Sequence, residues 1–362
     1  MKNLLLSSFI LLLSSCSSFS WLTEPLVQSE QSAETISENE LEKTEEVIAT
    51  ADFQSETSED LPPYFDAKVA KTKHTKKMID FCRKTDERFL HWGWGLSGCR
   101  DFEWLHVRDS VNGDPLMWTV FGDEKKSNVN MTLIMCGVHG DEITPLKFCY
   151  DILHYLNANF NRPEFANSVV VVFPNANPDS FFIDRPSRVN ARGVDINRNL
   201  PTTDWGKDAV RLWKTRHRSD PRRFPGDKPM SEPETLTQVN MIKRYAPQKI
   251  ISVHAPLTIL DYDGPVELTP RFEKVGSRAS DLLVQMSRKA DGYEVRNYPF
   301  FPGSLGNYAG NERGIPTYTL ELPSSDNRKH KEYWDLFRKA IKTAITQDLK
   351  SGTGAVVPES IH

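Results

Sequence analysis

Met131-Thr132-Leu133-Ile134-Met135-Cys136-Gly137-Val138 runs without a break into His139-Gly140-Asp141-Glu142. The first eight residues are apolar, β-branched or small, with no polar alternation. That pattern belongs to a strand covered on both faces. Polar, titratable chemistry then begins abruptly, where such a strand should end. Three further runs read the same way: Ser168–Phe173, Lys249–Val253 and Pro316–Leu320. Helical stretches lie between them. One follows Glu142 through Tyr155. A second starts at Ser231-Glu232-Pro233-Glu234, read as a capping box with proline in the first turn. A third covers 272–290 and a fourth Lys331–Asp348. Strands alternating with helices predict an α/β fold: a mixed, mostly parallel twisted sheet with helices on both faces.

Working toward the N-terminus, Glu103–Arg108 and Leu116–Phe121 flank Val111-Asn112-Gly113-Asp114. Asn-Gly between two such runs predicts a hairpin. The ordered domain should begin between residues 61 and 75. Ahead of it, residues 17–60 carry twelve acidic side chains against Lys43 alone, a balance of −11. With Lys2 in the leader and −4 for the whole chain, residues 61–362 are left at +6. A segment so charged and so poor in aromatics cannot bury enough surface to fold, and reads as a disordered tether reaching roughly 35–40 Å. A mildly basic domain points to an anionic ligand. Its basic residues are scattered, which argues against nucleic acid.

The first residues show Lys2, an apolar run from Leu4 to Leu13, and Leu13-Ser14-Ser15-Cys16. This is a secretory leader, too short to span a bilayer as a mature helix. It resembles the bacterial lipobox. That resemblance implies a lipidated Cys16, anchorage in the cell envelope and, with Ser17 following, the outer membrane facing the periplasm. The predicted organisation is a lipoprotein signal peptide (1–15), a lipidated cysteine and acidic tether (16–60), an N-terminal extension (61–114), a catalytic domain (115–350) and a flexible tail (351–362). An oxidising compartment permits disulfides. Cys82 and Cys99 are the expected pair in a loop-rich stretch, and Cys136 reads as a buried thiol.

Chemistry gathers where the strand-like runs end. The first ends in His139-Gly140-Asp141-Glu142, the third in His254, the fourth in Glu321. Ligands of open α/β sheets bind outside the carboxyl ends of strands. Two imidazoles and a carboxylate suit catalytic zinc, one ion per chain, with the fourth position left for water. A carboxylate outside that set, Glu321, can act as general base.

Residues 188–201 read Arg-Val-Asn-Ala-Arg-Gly-Val-Asp-Ile-Asn-Arg-Asn-Leu-Pro. Together with His-x-x-Glu, a lone histidine ending a strand and Thr319-Leu320-Glu321-Leu322, this resembles the zinc metallocarboxypeptidase family. The resemblance implies that family's fold, a zinc site of His139, Glu142 and His254, and Glu321 as base. It also implies Asn197 and Arg198 as the grip on a substrate carboxylate, Arg188 as the stabiliser of the oxyanion, and Asp195 as the acceptor orienting His139. Arg192 is a rival for the role of Arg188.

Within that family the stretches 137–142, 226–235, 254–257, 261–265, 302–306 and 321–323 are most similar to the bacterial murein peptide amidases. That implies peptidoglycan stem peptides as substrate, cut at the γ-D-glutamyl–meso-diaminopimelate bond. Asp263 or Tyr262 is a candidate reader of the amino-acid end of diaminopimelate, unless Asp263 only fixes an Asp-Gly turn. Tyr298 and Tyr308 are candidates for a tyrosine over the site. A general carboxypeptidase and a wall-binding lipoprotein without activity remain alternatives. So does the family's deacylase branch, which resembles His-Gly-Asn-Glu where this chain has Asp141.

Overall fold

The computed structural model describes residues 75–264 and 273–349. The leader, Cys16, the tether and the C-terminal tail lie outside them. A seven-stranded sheet holds β1 (Leu105–Asp109), β2 (Pro115–Phe121), β3 (Asn130–Met135), β4 (Ser168–Phe173), β5 (Lys249–His254), β6 (Leu260–Asp263) and β7 (Thr317–Glu321), in the order β1-β2-β4-β3-β5-β7-β6. The central run β4-β3-β5-β7 is parallel. The hairpin β1-β2 continues it antiparallel on one edge, and β6 does so on the other. The sheet is therefore mixed and mostly parallel, as expected from continuous apolar runs in the centre.

Among the described residues the α-helices are α1 (Lys76–His91), α2 (Ile143–Asn159), the short α3 (Pro178–Phe181) and α4 (Val210–Thr215), α5 (Pro233–Tyr245), α6 (Glu273–Lys289) and α7 (His330–Thr346). Successive strand residues feed opposite cores, as the two-residue strand period requires. Ile134, Val170 and Val172 pack with Phe81 and Phe89 of α1, Leu146 and Leu153 of α2, Met286 of α6 and Phe337 of α7. Leu133, Met135, Val169 and Val171 pack on the other face with Val239 and Ile242 of α5 and with Ile196 and Leu200. Helices thus cover both faces, but the second face has mainly α5 and irregular chain.

Three readings need correction. The first strand stops at Met135, because Gly137 takes a positive φ of 63° and turns the chain toward the site. The capping box does not form. Glu232 is the N-cap of α5 without a side-chain bond; Ser231 Oγ is engaged by Glu232 and Asn199, and Glu234 turns inward to Asn190. Pro233 in the first turn is as read. Cys136 is buried but is no thiol, since it pairs with Cys149 on α2. Cys82 and Cys99 pair as expected and tie α1 to the loop after it.

At the opposite end of the sheet from the site-bearing strand termini, Lys249 is wholly buried at the start of β5. Its ammonium donates to Asn130 Oδ1 and to the Gln347 carbonyl just past α7, and burial brings its pKa down to about 7.

Glu234 gives a test of the packing behind α5. Burial pushes its carboxyl up to about 7, against partial relief from the Asn190 amide and the Val111 N–H. A raised acid stabilises the fold fully below its unfolded value near ~4.3 and loses that contribution as pH rises through about 7. Glu234→Gln stays neutral. Its melting temperature should lack the decline expected of the parent between about pH 4 and 7, with a gain at pH 8 of up to about 3 kcal/mol in denaturant unfolding.

Candidate active site

The parallel register sets the site. Met135 of β3 lies opposite Ser252 of β5, and His254 of β5 lies opposite Glu321 of β7. Chain leaving β3 reaches His139 after four residues, at the same sheet edge. Glu142 opens α2 there. One carboxylate then joins both imidazoles: Glu142 Oε1 is 2.7 Å from His139 Nδ1, and Oε2 is 3.0 Å from His254 Nδ1. The ligand atoms of the three residues lie within 4.8 Å of one another, and the ring centroids are 5.0 Å apart.

Each imidazole is held from behind. His139 Nε2 is 3.1 Å from Asp195 Oδ1, and His254 Nε2 is 3.0 Å from Ser252 Oγ. Those contacts turn both Nδ1 atoms to the shared centre, the arrangement that orients metal-binding histidines. Asp195 is fully buried, which alone would raise its pKa, but Arg188 and His139 outweigh burial and hold it well below the carboxylate range. Arg188 donates from Nε to Asp195 Oδ2 at 2.9 Å and from Nη1 to Glu142 Oε1 at 3.3 Å. Burial would raise Glu142 as well, yet the two histidines hold it well below its ordinary value.

A cleft of about 440 Å³ opens over this centre. Its walls include His139, Glu142, Arg188, Asn197, Arg198, His254 and Glu321, so all the expected site residues meet there except Asp195, which stands behind His139. Asn197 Oδ1 accepts the Leu305 N–H at 2.8 Å. Arg198 is half-buried, lies 4.4 Å above the Phe301 ring and has an Nε without a hydrogen-bond partner among the described residues. Burial lowers its pKa to about 10. Glu321 is pushed upward by burial; its Oε2 accepts the Leu257 N–H at 3.3 Å.

The members of three pairs of alternatives lie in different places. Arg192 is exposed and pairs with Glu232, away from the cleft, so Arg188 holds the central position. Tyr298 lines the cleft with 43% of its surface open, while Tyr308 is 1% exposed beneath the Arg313 guanidinium. Asp263 lines the cleft and Tyr262 does not. Four contributors went unread. Arg222 and Arg223 line the basic wall, Arg222 pairing with Asp141 at 2.8 Å. Ser252 was legible in principle, two residues before His254 and so on the same strand face. Asp261 bears the same relation to Asp263.

Residues 101–351 match the family described as zinc carboxypeptidase. The chain belongs to the zinc carboxypeptidase family. Murein peptide amidase A of Escherichia coli K12 is 29% identical over 230 residues, 62% of this chain and 84% of that protein. Murein peptide amidase A of Vibrio campbellii is 30% identical over 216 residues, 59% and 77% of the two chains. Among solved structures, carboxypeptidase A from Helicoverpa armigera superposes with a TM-score of 0.54 at 18% identity, covering 85% of this chain and 80% of that one. Bovine thrombin-activatable fibrinolysis inhibitor gives 0.55 at 17%, covering 76% and 97%. At such identities the likeness bears on the fold alone, and the fold agrees.

This zinc carboxypeptidase-family chain is a metallopeptidase. The donor set fits the ion: two imidazole nitrogens and a carboxylate, each imidazole braced behind, with all three groups converging at the cleft floor. Asp195→Asn should keep the fold but weaken zinc binding about 10–100-fold in competition with a chelating dye, because His139 loses its anionic brace. An unchanged affinity would remove Asp195 from the site.

Proposed function

We propose that this protein is a zinc peptidase of the cell envelope that hydrolyses peptidoglycan stem peptides at the γ-D-glutamyl–meso-diaminopimelate bond. The observation that carries the reading is the meeting of His139, Glu142 and His254 in a cleft with Glu321 beside His254. The similarity to two murein peptide amidases, over more than three quarters of each, supports the substrate class.

In this reading His139, Glu142 and His254 hold the zinc, which when bound makes water more acidic and polarises the scissile carbonyl. Glu321 takes the water's proton and passes it to the departing amine; its burial favours the protonated form and so strengthens it as an acceptor. Arg188, held protonated between Asp195 and Glu142, offers its guanidinium to the developing oxyanion. The guanidinium of Arg198, which lines the cleft, and the amide nitrogen of Asn197, whose oxygen is taken by Leu305, grip the substrate carboxylate. Arg222 and Arg223 make the same wall attractive to a substrate rich in carboxylates.

Asp261 and Asp263 suit the amine of diaminopimelate. Both are buried at the cleft and have no ion pair among the described residues. Burial, then the charge of Asp261, pushes Asp263 up to about 7. An arriving ammonium would restore the charged form. Localisation follows the same reading: an N-terminal lipid on Cys16 holds the protein at the outer membrane, facing the periplasm. Two internal disulfides support an oxidising compartment.

Purified protein incubated with muropeptides should release products that begin at diaminopimelate, identified by mass spectrometry. Turnover of ordinary peptides with none of muropeptides would overturn the reading in favour of a general carboxypeptidase. Glu321→Gln should keep its zinc and lose roughly 10²–10⁴-fold in kcat; retained activity would show that another group is the base. Asp263→Asn should raise KM about tenfold or more for peptides with an amine-bearing residue after the cut. Peptides with an apolar residue there should be little affected.

A further inference from the structure

We infer that the Cys136–Cys149 disulfide is a positioning element of the metal site, so that zinc affinity depends on this bond and not on Cys82–Cys99. The inference rests on the zinc-site reading above.

The bond closes a loop with a sequence separation of 13, and both His139 and Glu142 lie inside it. Its first end is anchored to the sheet: the Cys136 N–H donates to the Phe173 carbonyl at 3.0 Å, and its carbonyl accepts from Ala176 N–H at 3.0 Å. Its second end, Cys149, sits on the buried side of α2. The ring therefore ties the edge of the sheet to the helix that begins at the second ligand.

The segment inside the ring needs such a tie. It holds Gly137 at a positive φ and Gly140, and neither has room for a side chain. A Cβ would come within 3.0 Å of Asn175 Cα at the first and 2.4 Å of Ser180 Oγ at the second. Glycine permits this tight path but gives the unfolded segment more freedom to lose. Glu142 adds a second cost. It occupies the N-cap of α2, yet its carboxylate caps nothing and faces the two imidazoles instead, and α2 has no acidic residue in its first turn. The helix that carries a ligand thus starts without the usual side-chain bond to its free N–H groups. A cross-link spanning these residues restricts both.

The other disulfide supplies the contrast. Cys82–Cys99 joins α1 to the loop after it, and none of the three ligands lies between its ends. His254 lies outside both rings, on β5.

The experiment compares the full-length protein with two double variants, Cys136→Ala/Cys149→Ala and Cys82→Ala/Cys99→Ala. Zinc dissociation constants are measured by competition with a chelating dye, beside the melting temperatures of the metal-free forms. The first variant should bind zinc about tenfold or more weakly, the scale on which groups that orient ligands act. The second should lose thermal stability and keep the parent's affinity. Equal affinity in all three proteins, or an equal loss in both variants, would overturn the inference. Absence of zinc binding by the parent would instead bring down the metal-site reading itself. If the first variant does not fold, mild phosphine reduction of the parent gives the same comparison, with mass-spectrometric identification of the pair opened.

Discussion

A buried carboxylate with nothing opposite it is one of the costlier things a fold can contain, and Glu142 is such a group unless its surroundings answer it. They do so from several directions. His139 and His254 meet its two oxygens, Arg188 reaches Oε1, and the Ala255 N–H donates to Oε2 at 3.2 Å. Arg188 in turn needs Asp195, and Asp195 needs His139. The charges form a closed set in which removing one member strands its neighbours. Such a set persists only if the backbone brings its members together independently of their attraction.

The sheet does that. Four parallel strands end along one edge, and the register alone puts His254 beside Glu321 and the exit of β3 beside Ser252. The apolar residues of β3, β4 and β5 are buried on both faces, so a one-residue slip would exchange the two cores. The precision of the site is thus borrowed from hydrophobic packing. The polar residues exploit a frame that they do not build.

That division explains what the amino-acid sequence revealed. Continuous apolar runs located the central strands, and residues at their carboxyl ends announced His254 and Glu321, because strand ends converge in this architecture. Asn112-Gly113 marked the hairpin because few other residues suit its turn. The partnership of Cys136 with Cys149 was hidden, since it depends on where α2 lies over β3. Ser231 looked like a helix cap until Asn199 and Glu232 competed for its hydroxyl. Arg222 meets Asp141 across 81 positions of chain, and no local pattern encodes that distance. Tyr298 and Tyr308 looked equivalent because exposure is a property of the assembled fold.

Lys249 carries a consequence for the order in which the molecule is completed. Its ammonium lies under the sheet at the start of β5, and one of its two acceptors is the carbonyl of Gln347, almost a hundred residues later. A nascent chain that has delivered β5 but not the end of α7 cannot close over this lysine without burying an amine short of an acceptor. Closing that end of the sheet thus requires α7 and the turn after it to be in place. Synthesis from the N-terminus delivers β5 well before α7, so the second acceptor of this buried amine arrives only with the helix that packs over it.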